Sequence, residues 1–494
     1  MTPVFILSCV AAYTAVIFLV TWFTTRGTTN NDTYFVGNRQ SPWYVVAYGM
    51  IGSSLSGVTF ISVPGAVGAT AFGYFQVVLG YILGYVVISE ILLPLYYRMN
   101  LTSIYSYLGE RLGFWSYKTG SFYFILSRII GAAFRLFIVV NVLQLFVFDA
   151  WGVPFWLTSA LFIVVILLYT YKGGVKTIVY TDALQTTFLL GTMLLVVGML
   201  SSDLGIGLGA LPGAIADTDY SKMFFWDWQT KQFFPKQFFG GMFIAIAMTG
   251  LDQDMMQKNI SVRTLAGAKK NVYVFTAVLT VVNLCFLALG ALLYLYATAK
   301  GIPIPKLTDE LFPVLALQYL GGVAGILFII GIISATYSSA DGSLTALTTS
   351  FCIDMLGMKN QNWDEQKRLR VRQTVHLAFA GVLLLTMVIF KLINNAAVIQ
   401  TLFTVASFTY GPLLGLFAFG LFTKRGVKDI LVPVICVLAP AICFVLNLNS
   451  AAWFNGYLFG FELIIVNGLL TFTGLVLVSK GRANVEAPVE VVRA

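Results

Sequence analysis

The sequence predicts an all-α membrane protein whose chain crosses the bilayer thirteen times. Three observations carry that prediction. The 494 residues are 58% hydrophobic and 10% charged, with a mean hydropathy of +0.85, far from a soluble globular composition. Apolar runs of membrane-crossing length recur along the whole chain. The basic residues between those runs sort to alternate sides.

The first run, 4–25, has no basic residue before it and no A-x-A-like cleavage pattern, so it reads as a span and not as a signal peptide. A polar link with Arg39 leads to the second run, 42–68, in which Gly52, Ser53, Ser54, Ser56 and Gly57 crowd together. That stretch is expected to unwind, freeing backbone carbonyls for an ion, water or neighbouring protein; close helix packing through small residues is the alternative. The third run, 74–97, has Glu90 near its inner end, and 102–111 reads as a short amphipathic surface helix. The fourth, 119–148, holds Arg128 and Arg135, seven apart and on one helical face. Arg135 lies near the middle of the run, where snorkelling to either interface is hardest and an anionic or carbonyl partner is required.

The fifth run, 154–171, is followed by Lys172-Gly173-Gly174-Val175-Lys176 and the sixth, 178–200, which Asp182 opens. Helix capping at the membrane edge and a buried functional role both fit that aspartate. An outer connection at 201–236 is rich in aromatics, and the seventh run, 237–257, closes with Asp252-Gln253-Asp254, an acidic pair expected to be solvated or ion-paired at the cytoplasmic end, with a transport role as the alternative. The eighth run is 271–298. The ninth, 320–349, carries Ser334-Ala335-Thr336-Tyr337-Ser338-Ser339-Ala340-Asp341-Gly342-Ser343. Ala335, Ser338, Ser339 and Gly342 share one face with Asp341 beside it: small residues, hydroxyls and a carboxylate, which is the chemistry of a cation site. The tenth run, 373–392, begins near the only histidine, His376, read as interfacial, and the eleventh, 398–421, should bend at Tyr410-Gly411-Pro412. Runs at 428–447 and 455–479 complete the thirteen, and a short polar tail follows Lys480.

Alternating the connections between two sides puts 22 of the 30 Lys and Arg on one side. The positive-inside rule makes that side cytoplasmic, with the N-terminus outside and the C-terminus inside. The net charge of +9 is thereby explained by topology, and no nucleic-acid partner is expected. The five cysteines have no paired or metal-like spacing. An enzyme or an ATP-driven pump is not expected either, because no H-E-x-x-H and no G-x-x-x-x-G-K-[ST] occurs.

Five stretches together resemble the sodium/solute symporter family: S-L-S-G-V-T-F at 54–60, Y-T-Y-K-G-G at 169–174, T-D-A-L-Q at 181–185, D-Q-D-M-M-Q-K at 252–258 and A-T-Y-S-S at 335–339. The resemblance spans nearly the whole chain. It implies a single membrane domain, 1–494, of the leucine-transporter-like fold. Two inverted five-helix repeats would occupy 42–200 and 237–421, with an extra helix at 4–25 and two C-terminal helices within 428–479. It also implies sodium as the coupling ion and no other cofactor. Carried over residue by residue, a sodium site would use the carbonyls of Gly52, Leu55 and Ala335 and the hydroxyls of Ser338 and Ser339. Five neutral oxygens suit a hard monovalent cation and undercharge a site for calcium or magnesium.

A second cation site in some members would involve Asp182, Ser338 and Asp341. Here two positions that carry hydroxyls in the family are Asp341 and Gly342, which leaves a strongly charged second sodium site or a carboxylate that takes a proton. The sialic-acid branch is nearest in pattern: Arg135 matches its carboxylate-binding arginine, Ser54, Ser56 and Thr59 match substrate-binding positions, and Gln76 stands near a glutamine that contacts sialic acid. Against a sugar carrier, the eighth span has no lysine. The resemblance therefore implies sodium-coupled import of a small, anionic, carboxylated solute such as sialic acid by alternating access. A carrier of a neutral sugar, polyol or amino acid, and a channel or sensor on the same fold, are the alternatives. The expected setting is a bacterial inner membrane, and the expected state a monomer.

Overall fold

The computed structural model describes residues 2–25, 34–35, 37–393 and 398–482, with the side chains of 25, 171–173, 176, 398–400 and 482 set aside. The connections at 26–33 and 394–397 and the tail beyond 482 lie outside the described residues, as do side chains within the Y-T-Y-K-G-G stretch. The α-helices of eight residues or more, in chain order, are α1 (Pro3–Thr25), α2 (Trp43–Ser54), α3 (Gly57–Thr70), α4 (Tyr74–Val87), α5 (Phe114–Leu143), α6 (Phe155–Asp203), α7 (Phe234–Ala245) and α8 (Gln253–Ile260). They continue with α9 (Leu265–Ala299), α10 (Gly321–Ser350), α11 (Glu365–Ile393), α12 (Val398–Thr409), α13 (Gly411–Phe422), α14 (Val432–Leu448) and α15 (Leu463–Leu477). A small antiparallel pair, β1 (Arg425–Val427) with β2 (Ser479–Arg482), closes one end.

Eight helices among the described residues are long and apolar enough to cross a membrane, or nine if α12 and α13 form one span, and Phe155–Thr170 and Leu463–Leu477 are shorter apolar helices. Their outer faces are apolar: Leu385 and Val437 are each 61% exposed and Leu477 is 81% exposed. Surfaces of this kind are stable against lipid and not against water.

The polarity of the chain explains where its helices break. The second predicted span is two helices, α2 ending at Ser54 and α3 starting at Gly57, with Leu55 (φ −85°, ψ 75°) and Ser56 (φ −72°, ψ 174°) out of helical geometry between them. The seventh is also broken. After α7 comes a wide turn, Ile246–Gly250, then Leu251 and an extended Asp252, whose carboxylate caps α8 by accepting from the amides of Asp254 (3.0 Å) and Met255 (3.3 Å). Within α6 the chain kinks at Gly174, where φ is +57° and an added Cβ would run into the Tyr34 backbone. The bend at Tyr410 is 42°.

At the centre stands α10, packed most extensively against α6. Every residue from 331 to 350 is buried. Several of its hydroxyls are accommodated by bonding back to their own helix: Ser334 to the Ile330 carbonyl (2.7 Å), Thr336 to Ile332 (2.7 Å), Ser339 to Ala335 (3.1 Å) and Thr348 to Leu344 (2.7 Å).

One expectation about the helix starts is corrected. His376 is 2% exposed and not interfacial, because α11 begins well before it. Its ring lies against Thr170 Oγ1 and Thr348 Oγ1, each at 3.0 Å, and Tyr34 Oη at 3.2 Å.

Candidate functional site

The α2–α3 break sits beside α10 and α6 and presents two kinds of group. Its backbone supplies carbonyls. Neither the Gly52 nor the Leu55 carbonyl accepts a hydrogen bond among the described residues, since the Leu55 amide bonds to Ile51 and the next helix takes up the ladder only at Ser56. Gly52 adjoins α10 closely enough that an added Cβ would stand 3.4 Å from Ser338 Oγ. On α10 the Ala335 carbonyl accepts from Ser339 Oγ, so these two candidate ligands lie together. Of the five residues expected at a first sodium site, Gly52 is thus brought beside Ser338, while Ala335 and Ser339 lie on that same α10 helix.

Asp182 is 0% exposed and lies well inside α6, so the capping alternative is set aside. Its Oδ1 accepts from Ser338 Oγ at 2.6 Å and its Oδ2 from Ser53 Oγ at 2.8 Å. Asp341 is also 0% exposed; its Oδ1 accepts from the neighbouring Gly342 amide at 2.6 Å, and its Oδ2 has no partner among the described residues. A buried carboxylate oxygen without a donor or cation is costly.

The acidic pair at the α7–α8 break is buried, not solvated. Arg128 pairs with Asp252 at 3.3 Å and with Asp254, and Tyr410 donates to Asp252 at 2.8 Å. Lys258, from the same short helix, reaches Asp182 Oδ2 at 2.8 Å, Ser53 Oγ at 2.6 Å and Asp254 Oδ1 at 3.5 Å. Lys258 is not evident from sequence because it follows the apolar run and so resembles an interfacial residue.

The α2–α3 break also borders a cavity lined by Ser53 to Ser56, Thr59, Arg128, Arg135 and Tyr85, among others. Four of the expected substrate residues therefore share one space. Arg135 donates no hydrogen bond and forms no ion pair among the described residues, and its Nε is buried. Gln76 is not in this cavity. Its amide donates to the carbonyls of Gly73 (3.1 Å) and Gln232 (3.0 Å), and its Oε1 accepts from the Phe225 amide at 3.2 Å, pinning the outer connection to the start of α4. Three tyrosines of α4 that sequence reasoning missed, Tyr74, Tyr81 and Tyr85, also line the cavity. Their spacing of seven and four puts them on one face, which is the signal that could have found them.

The sequence model of the sodium:solute symporter family matches residues 34–429. The chain belongs to that family. Among relatives of this symporter, the sodium/sialic acid symporter NanT of Aliivibrio fischeri is 24% identical over 93% of this chain and 91% of its own. The sodium-coupled monocarboxylate transporter 1 of Xenopus laevis is 26% identical over 82% of this chain and 65% of its own. A solved Na+-coupled sialic acid symporter, in a substrate-bound outward-open state, superposes with a TM-score of 0.82 over 96% of this chain and 98% of its own, at 20% identity. As a family member the protein is a multi-pass, sodium-coupled symporter. Its work is transport and involves no chemical conversion of the solute.

Proposed function

We propose that this symporter imports a carboxylated solute of the sialic-acid type, held by Arg135. The observation that carries the reading is a half-buried arginine with no hydrogen-bond or ion-pair partner among the described residues, its Nε fully buried, lining one cavity with Ser54, Ser56 and Thr59. An Arg fork matches a carboxylate geometrically, and its charge offsets the cost of taking an anion into the membrane. A neutral sugar would leave that charge uncompensated. A smaller monocarboxylate is the second reading, favoured by the likeness to the monocarboxylate transporter.

Coupling follows from the break itself. Gly52 and Leu55 supply ion ligands, while Ser54 and Ser56, interleaved with them, line the substrate cavity. Sodium bound by those carbonyls, Ala335, Ser338 and Ser339 fixes the conformation of the segment that receives the solute, so each ligand raises the affinity for the other. Asp182, Ser338 and Asp341 form the second cation site, for sodium or a proton. At about 100 mV inside-negative each sodium contributes roughly 2.3 kcal/mol from the field alone. Two sodium ions with one monoanion move one net positive charge inward, so uptake is voltage-driven.

Thirteen spans, with inverted repeats at 42–200 and 237–421, fit this reading, since the first helix of each repeat is the broken one. We take the protein to be a monomer of the bacterial inner membrane, N-terminus outside.

The test is uptake of radiolabelled sialic acid into proteoliposomes under an imposed sodium gradient. The parent is expected to accumulate label only with sodium, Arg135→Ala to abolish uptake, and Asp341→Asn to flatten the sodium dependence toward one ion per cycle. Parent uptake that ignores sialic acid but accepts lactate would transfer the reading to monocarboxylates. Arg135→Ala transporting like the parent would remove the carboxylate anchor altogether.

A further inference from the structure

We propose that the Lys258 ammonium is a tethered rival of sodium for Asp182, holding that carboxylate between cycles and moving to Asp254 when a cation enters. The inference rests on the reading that Asp182 receives a cation. Lys258 is 2% exposed, and its three N–H groups face three oxygens: Ser53 Oγ at 2.6 Å, Asp182 Oδ2 at 2.8 Å and Asp254 Oδ1 at 3.5 Å. With Ser338 donating to Oδ1, both oxygens of Asp182 are engaged. A cation ligated by Asp182 and Ser338 therefore competes with the ammonium, because two positive charges repel strongly a few ångströms apart in a buried site and because Ser338 must turn a lone pair from its bond with Oδ1 toward the ion.

Asp254 is the place to which the ammonium retreats. It lies one turn back on the same helix, and an ammonium on a four-carbon stem reaches it by changing rotamers alone. Asp254 also rests over Gly342, where an added Cβ would collide with it, so it meets α10 at the residue after Asp341. Charge balance agrees with the exchange. The buried cluster holds four carboxylates, Asp182, Asp252, Asp254 and Asp341, against two cations, Arg128 and Lys258. Two incoming cations neutralise it, with Lys258 and Arg128 left to serve Asp252 and Asp254. When sodium leaves, the ammonium returns, and the carrier resets without a bare carboxylate at Asp182 in the membrane.

The consequence is a sodium affinity set below what the oxygens alone would give. If the ammonium occupies Asp182 for nine-tenths of the time, removing it raises apparent sodium affinity about tenfold. The experiment measures binding of radioactive sodium to the full chain in nanodiscs, for the parent, Lys258→Gln, Asp254→Asn and Asp182→Asn. Lys258→Gln is expected to bind sodium about tenfold more tightly, and in proteoliposomes to keep sialic acid exchange while losing most net uptake. Asp254→Asn, which removes the retreat, is expected to bind more weakly by a similar factor. A monodisperse Lys258→Gln that binds sodium like the parent or more weakly overturns the proposal. Should that variant fail to fold, Asp254→Asn decides alone, and parent-like or tighter binding there overturns it. Unchanged sodium binding in Asp182→Asn would instead show that the second cation site is misplaced, a failure separate from that of the lysine.

Discussion

Ser338 on α10 donates to Asp182 Oδ1 on α6 at 2.6 Å, while Thr336 two residues earlier spends its hydroxyl on the Ile332 carbonyl at 2.7 Å. The first hydroxyl is committed to another helix, and the second is part of its own. Ser338→Ala is therefore expected to raise the sodium concentration for half-maximal uptake by about tenfold, because it removes a hydroxyl ligand proposed for both cation sites, a loss comparable to one interaction with a charged group. Thr336→Ala should change it less than about twofold by the same reasoning. Parent-like sodium activation in Ser338→Ala would remove that residue from both cation sites.

Two arginines on one face of α5 have opposite tasks. Arg128 is 4% exposed and paired with Asp252 and Asp254, whereas Arg135 has no such partner among the described residues. Removing one member of a buried ion pair costs about 3–5 kcal/mol because it strands the other. Arg128→Ala should accordingly unfold at markedly lower temperature, read as monodisperse protein remaining after heating in detergent. Arg135→Ala should stay within about 1 kcal/mol of the parent, as is usual where no partner is stranded. Equal heat lability of the two variants would mean that Arg135 has a structural partner.

How much of this was legible depends on how far apart the cooperating residues lie in the chain. The α2–α3 break announced itself locally, through Gly52, Ser53, Ser54, Ser56 and Gly57 in an apolar context. The α7–α8 break did so only weakly, through Gly240-Gly241 and Gly250, because Ile246 to Leu251 is mostly apolar, with Thr249 and the cap Asp252 as its polar markers. Hydropathy placed Lys258 and His376 at interfaces, yet their partners come from helices distant in sequence, Asp182 for one and Thr170 and Thr348 for the other. Burial of a polar side chain is a property of packing, and periodicity registers only whether a helix has an apolar face.

Gln76 offers the sharpest contrast between likeness of position and use. It stands near a position whose counterpart contacts solute in the sialic-acid branch, but all three of its hydrogen bonds go to backbone: Gly73, Gln232 and Phe225. A side chain so committed has no donor left to reach the cavity that holds Arg135. Gln76→Ala is thus expected to leave the KM for sialic acid within about twofold of the parent, because the bonds it breaks contact no solute. It should instead loosen the outer connection, where the amide of Phe225 loses its acceptor. Hydrogen exchange at Phe225 should then quicken by about tenfold, the opening cost of one hydrogen bond. A large rise in KM with unchanged exchange at Phe225 would return Gln76 to the substrate site and imply that α4 turns during the transport cycle.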